Sequence, residues 1–159
     1  MSGPRLDWLS LDASAFRRPR HASQIDIVSA HGIELACLDP SPLTRENLFE
    51  VRFDEVLARL TALPRMDAEP DGFFVRTGAE GGHTWKLNGH LFELEDWLWR
   101  MDLHGECPPD ALDEVLAAVG WPAVGVVFQL VRLGVTVGEA DGRRWSSLEW
   151  AKAAEERPR

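Results

Sequence analysis

Arg100, Asp102, His104 and Glu106 alternate with Met101, Leu103 and Gly105 in the run WRMDLHGEC. On an extended strand, residues two apart point the same way and stand about 6.5–7 Å apart. Asp102, His104 and Glu106 could therefore converge on one ion or one substrate, as in a metal-assisted hydrolase or an acid–base site. Arg100 argues against that reading, because it adds a cation to the same row and would pair with Asp102. The plainer reading is a solvated sheet face with alternating charges, and it is the one favoured here. Lys86 joins the row on a neighbouring strand, so Lys86, Arg100, Asp102, His104 and Glu106 form the candidate ligand- or partner-binding set.

Three other groupings could carry chemistry. His83, His90 and His104 invite a zinc site, but the register derived below puts His90 and His104 on opposite faces. Cys107 precedes Pro108-Pro109 at a predicted helix start, where a thiolate would be stabilised. No oxyanion hole or nucleophile motif accompanies it, so a small apolar residue closing a strand is the favoured reading. The loop GAEGG (78–82) has no Lys and contains Glu80. It is a poor phosphate cradle and reads as a flexible hairpin loop.

The elements that would position the row follow from turn chemistry. Asn88-Gly89 is the strongest short-range hairpin signal, since a type I′ turn needs positive φ at both central residues. A second tight turn at Glu95-Asp96 completes a three-stranded meander over 83–107. In this register Trp85, Phe92 and Trp99 form a cross-strand aromatic row facing the core, with His90 opposite Met101. Lys86, Glu93, Arg100, Asp102, His104 and Glu106 face outward, with Leu91 and Leu98 among them. The strand FFVRT (73–77) precedes the meander, giving about four strands.

Elsewhere the pattern predicts a loosely ordered N-terminal arm over 1–22, tethered by Leu6, Trp8, Leu9 and Leu11. Ser23 and Asp26 resemble a capping box, which opens a helix over 24–31 that Gly32 ends. IELACL (33–38) reads as a strand or buried extended segment. Phe53, Val56, Leu57 and Leu60 repeat at helical spacing, predicting a helix over 54–63, with LFEVRF (48–53) left open. Residues 64–72 read as a linker and 110–120 as a helix. For PAVGVVFQLVRL (122–133), Gly125, Gln129 and Arg132 share one helical face, so a helix is predicted despite the β-branched residues. Thr136 and Glu139 resemble a second capping box, opening a last helix to about 154. The domain is therefore placed at 23–154, with a disordered tail over 155–159.

Composition narrows the partners. The chain has 159 residues, 45% of them hydrophobic and 27% charged, which is ordinary for one globular domain. No apolar run approaches the ~20 residues of a membrane span, and MSGPRLDWLSLDASAFRRPR has no apolar stretch of the signal-peptide type. Cys37 and Cys107 form no metal or disulfide-scaffold spacing, which fits a cytoplasmic protein. The net charge of −9 is concentrated: residues 25–121 carry 7 basic and 19 acidic groups. Such a body repels nucleic acid and anionic membranes. A helix–turn–helix at 122–150 with Arg132, Arg143 and Arg144 could serve a DNA-binding regulator, but an ordinary helical hairpin covering the sheet is favoured. The seven Trp, with no Tyr, read mainly as core.

The sequence thus predicts an α+β fold: an antiparallel meander of about four strands, helices on its aromatic face, and a C-terminal helical pair. The expected function is a small cytoplasmic, non-enzymatic binding or interaction protein with no cofactor or metal. It would present its acidic sheet face to a protein or small-ligand partner. The metal-assisted hydrolase using Asp102, His104 and Glu106 and the DNA-binding regulator are the alternatives.

Overall fold

In LSLDASAFR, Leu9, Leu11, Ala13 and Ala15 alternate with Ser10, Asp12 and Ser14, and this period of two makes a strand with one apolar face. In the computed structural model, which describes residues 8–156, this is β1 (Leu9–Arg17), near the middle of a nine-stranded sheet. β2 (Gln24–Ala30), β3 (Ile33–Leu38), β4 (Met66–Ala68), β5 (Phe73–Glu80), β6 (His83–Leu94), β7 (Trp97–Cys107), β8 (Val126–Leu130) and β9 (Val135–Gly138) complete it. The order is β2-β3-β9-β8-β1-β7-β6-β5-β4, with every neighbouring pair antiparallel. Three helices, α1 (Phe53–Thr61), α2 (Pro109–Ala117) and α3 (Glu139–Glu156), supply side chains to one buried cluster. The fold class is α+β with an antiparallel sheet, but with nine strands rather than about four.

The core lies on one sheet face. Leu11 and Ala13 of β1, Leu87 and Leu91 of β6, and Met101 and Leu103 of β7 meet Val56 and Leu60 of α1, Leu112 and Leu116 of α2, and Trp145 of α3. Burying one such side chain contributes roughly 1.5–3 kcal/mol. Arg76 of β5 is the charged exception on this face. It is 6% exposed, donates to the Pro64 and Ala111 carbonyls, and is ion-paired with Glu114 of α2. A buried guanidinium is tolerated only with such full pairing.

Several sequence expectations need correction. Asn88-Gly89 is no turn: both lie inside β6, which pairs with β5 from Phe73↔His90 to Glu80↔His83. The turn is at Gly81-Gly82, with φ of 60° and 80°, so residues 78–80 of the supposed flexible loop are strand. Gly89 is there for close approach. A Cβ on it would stand 2.0 Å from the Phe74 ring. Glu95-Asp96 is a turn with positive φ at both residues, and Leu94 pairs with Trp97 as predicted. Beyond it a bulge leaves Trp99 without an opposite residue, so Phe92 pairs with Arg100 and His90 with Asp102.

The phase of β6 is consequently inverted from His90 onward, while Trp85 and Lys86 keep the expected one. Leu91 and Leu98, expected on the wet face, are in the core. Phe92 and His90 lie on the opposite face with Arg100 and Asp102, because residues directly paired across strands share a face. Of the expected Trp85–Phe92–Trp99 row, only Trp85 packs against the helix-covered core, which is otherwise mainly aliphatic. Trp97 is 37% exposed, and Trp99 packs with Phe16, Leu38 and Val127 in a small second cluster. The bulge spares the row from Arg100 to Glu106, which stays on the face opposite Met101, Leu103 and Cys107.

The predicted helix over 24–31 is strand β2: Ile25, Ile27 and Val28 favour extended backbone, and His31-Gly32 at positive φ makes a hairpin to β3. Of the predicted arm over 1–22, Leu9–Arg17 is strand β1, and Leu6 lies outside the described residues. The helix over 122–133 is strand β8, where β-branched preference overrides the spacing of Gln129 and Arg132. Thr136 lies in β9, not at a helix cap. The C-terminal helical pair, and with it the helix–turn–helix, is therefore replaced by a β-hairpin and one helix. Met66–Ala68 of the predicted linker is strand β4, and in 48–53 Arg52 makes an isolated bridge to Trp97 while Phe53 opens α1. Among the described residues, no helix is long and apolar enough to cross a membrane.

Candidate functional site

Across β1, β7 and β6 the register builds a lattice on the face away from the core. Ser10, Glu106 and Lys86 form one row; Asp12, His104 and Asn88 the next; Ser14, Asp102 and His90 the third; Phe16, Arg100 and Phe92 the fourth. β5 extends the third row with Phe73 opposite His90. All five sequence-predicted residues are on this face. Asp102 and His104 sit at its centre. Lys86 and Glu106 lie one row further along, and Arg100 is turned onto aromatic rings, 4.2 Å from the Phe92 centroid and 4.9 Å from that of Trp99.

Four residues here were missed or misplaced by sequence reasoning: Asp12, Ser14, Asn88 and His90. The alternation in LSLDASAFR was the signal for the first two. For the other two the Asn-Gly motif masked the continuous strand.

The central carboxylates are held by neighbours. The Ser14 hydroxyl donates to Asp102 Oδ1 at 2.7 Å, and Arg100 Nε stands 3.3 Å from the same oxygen. Asp12 lies between His104 Nδ1 and Arg132 Nε, each at 3.8 Å. Both contacts are beyond hydrogen-bond length, and the one to Arg132 is an ion pair. Arg132 also reaches Glu149 of α3 at 3.9 Å, and Glu149 contacts His31 Nε2 at 3.1 Å. His31 stacks flat on Trp145 with ring centroids 4.6 Å apart, tying the β2–β3 turn to α3.

Two depressions flank the Asp12–His104 pair. One, of about 180 Å³, is bounded by Ser10, Asp12, His104, Glu106, Arg132 and Glu149 over Leu11, Leu130 and Trp145. The other, of about 290 Å³, lies among Asp12, Ser14, Asn88, His90, Asp102 and His104, with Phe73 and Val131 at its rim. Small-molecule sites span roughly 300–1,000 Å³, so the larger depression is at the low end of that range. Asn88 Oδ1 is buried and has no hydrogen-bond donor.

The Ser14 hydroxyl is committed to the Asp102 carboxylate rather than to an imidazole. No three His, Cys, Asp or Glu side chains among the described residues stand close enough to hold a metal ion. His90 and His104 do share a face, contrary to the predicted register, but on paired strands they oppose Asp102 and Asn88 rather than each other. Cys107 is 0% exposed, and burial pushes its thiol up to about 12, so it stays protonated near neutrality. Burial, then nearby Asp26, raises Cys37 as well. The chain matches no protein-family model, no curated protein and no solved structure.

Proposed function

We propose that this chain is a non-enzymatic binding protein that takes a small polar ligand, or a short polar segment of a partner, on its open sheet face. The observation that carries the reading is the contrast across β1, β7 and β6. One face is buried under three helices, while on the other Asp12, Ser14, Asn88, His90, Asp102 and His104 surround a depression whose lining among the described residues comes from β1, β5, β6, β7 and Val131. Polar side chains in that number are not needed to close a core, and they converge as a binding site requires. A cytoplasmic location goes with this reading, on the two cysteines that form no disulfide-scaffold spacing.

Asp12, Asp102, Glu106 and Glu149 line the two depressions with Arg132, and Arg100 and Lys86 stand beside them on the same face. Polyanions are thereby disfavoured as partners. The test is amide chemical-shift mapping of the ¹⁵N-labelled chain against a panel of small amines, polyols and carboxylic acids. Saturable shifts confined to residues 12–14, 88–90 and 102–104 support the proposal. A panel that leaves those amides still, or moves amides elsewhere, contradicts it.

A further inference from the structure

We infer that the ligand of this face is a neutral polyhydroxylated molecule, of the saccharide class; the inference rests on the binding reading above. The first argument is charge. Each central carboxylate already has a counter-charge: Asp102 has Arg100, and Asp12 has both His104, when protonated, and Arg132. A cationic ligand must compete with those groups, and an anionic one meets the carboxylates directly. A neutral ligand does neither.

The second argument is hydrogen-bonding capacity. An ionised carboxylate offers about four lone-pair sites. Ser14 and Arg100 both engage Oδ1 of Asp102, which leaves Oδ2 as an acceptor. Neither contact to Asp12 is short enough to be a hydrogen bond, so both its oxygens keep their capacity. Asn88 lines the larger depression, and its side-chain amide can both donate and accept. His90 and His104 each bring a ring nitrogen that donates and, when neutral, another that accepts. Hydroxyl groups do both as well, so a polyol satisfies this mixed set where an ammonium, which only donates, does not.

The third argument is the rim. Phe73 is 38% exposed beside the same depression, and neighbouring His90 lies 6.4 Å from it between centroids. The apolar C–H face of a sugar ring packs on such a surface while its hydroxyl edge points to Asp102 and Asn88.

The experiment is NMR titration of the full ¹⁵N-labelled chain with glucose, mannose, galactose, N-acetylglucosamine and their disaccharides. Putrescine and inorganic phosphate serve as charged counterparts. At least one saccharide is expected to shift the amides of residues 12–14, 88–90 and 102–104 saturably, with an affinity insensitive to added salt. Asn88→Ala and Asp12→Ala are each expected to weaken that affinity about fivefold, the loss of one hydrogen bond, while the unfolding midpoint stays near that of the parent. Two variants guard against one failing to fold. If putrescine or phosphate moves these amides and no saccharide does, the saccharide class is wrong but the face still binds. If no probe moves them, this inference and the binding reading both fall.

Discussion

On β6, Gly89 and Leu91 face the helix-covered core, while Asn88 and His90, their chain neighbours, face the other way, across from His104 and Asp102. The same contrast runs along β1 and β7. Residues on the helix-covered side are small or aliphatic and almost fully buried. Those on the other side, apart from the row of Phe16 and Phe92, are mostly polar, at least partly exposed and linked by loose ion pairs. A strand alternates its side chains by geometry alone, so one stretch of chain can build a core with every second residue and leave the others free. The difference shows which side carries stability and which side can be changed without unfolding the molecule.

Substitutions can break or sharpen that contrast. The largest expected effect is on the covered side: Leu103→Ala should cost about 2–5 kcal/mol in urea unfolding, from lost transfer energy and the cavity left behind. Gly89→Ala comes next, at about 1–3 kcal/mol, because the new methyl would overlap the Phe74 ring. An equally stable Gly89→Ala variant would show that β6 and β5 are not packed as described.

A pH effect follows from Cys107. Its folded pKa is raised from 9.0 to about 12, so above about pH 9 the unfolded chain releases the proton while the folded chain keeps it. The unfolded state then binds fewer protons, and stability falls as pH rises from about 9 toward 12. Unfolding midpoints measured across alkaline pH should decline less steeply in Cys107→Ala than in the parent. Parallel curves would contradict the assignment.

The smallest effects belong to the open side. Asp102→Ala loses the Ser14 hydrogen bond and should cost about 1 kcal/mol. His104→Ala, whose side chain is 69% exposed, should stay within about 0.5 kcal/mol.

How much of this was legible depended on which local signals tertiary pairing respected. The Glu95-Asp96 turn was legible because a tight turn joins two strands that pair directly. The outward row from Arg100 to Glu106 was legible for the same reason, its polar positions matching the strand period. Asn88-Gly89 misled because glycine serves close approach as well as turns, and the Phe74 ring that explains it lies on another strand. That one error inverted the phase of Phe92 and His90, since a one-residue slip exchanges the faces of a strand. In β2 and β8, local capping and spacing patterns lost to β-branched residues that had sheet partners. Those partners, β3 for one and β1 and β9 for the other, are remote or ambiguous when the chain is read in order. The site could not be assembled from sequence because Asp12 and His104 are brought together only by the β1–β7 pairing.

The separation of the two faces is tested most directly by equilibrium unfolding of one variant carrying Asn88→Ala, Asp102→Ala and His104→Ala together, run beside Leu103→Ala. The triple variant is expected to lose no more than about 1–2 kcal/mol, clearly less than the single core truncation. A loss as large as that of Leu103→Ala would mean that the open face is part of what holds the sheet together, and the case for a binding surface there would fail.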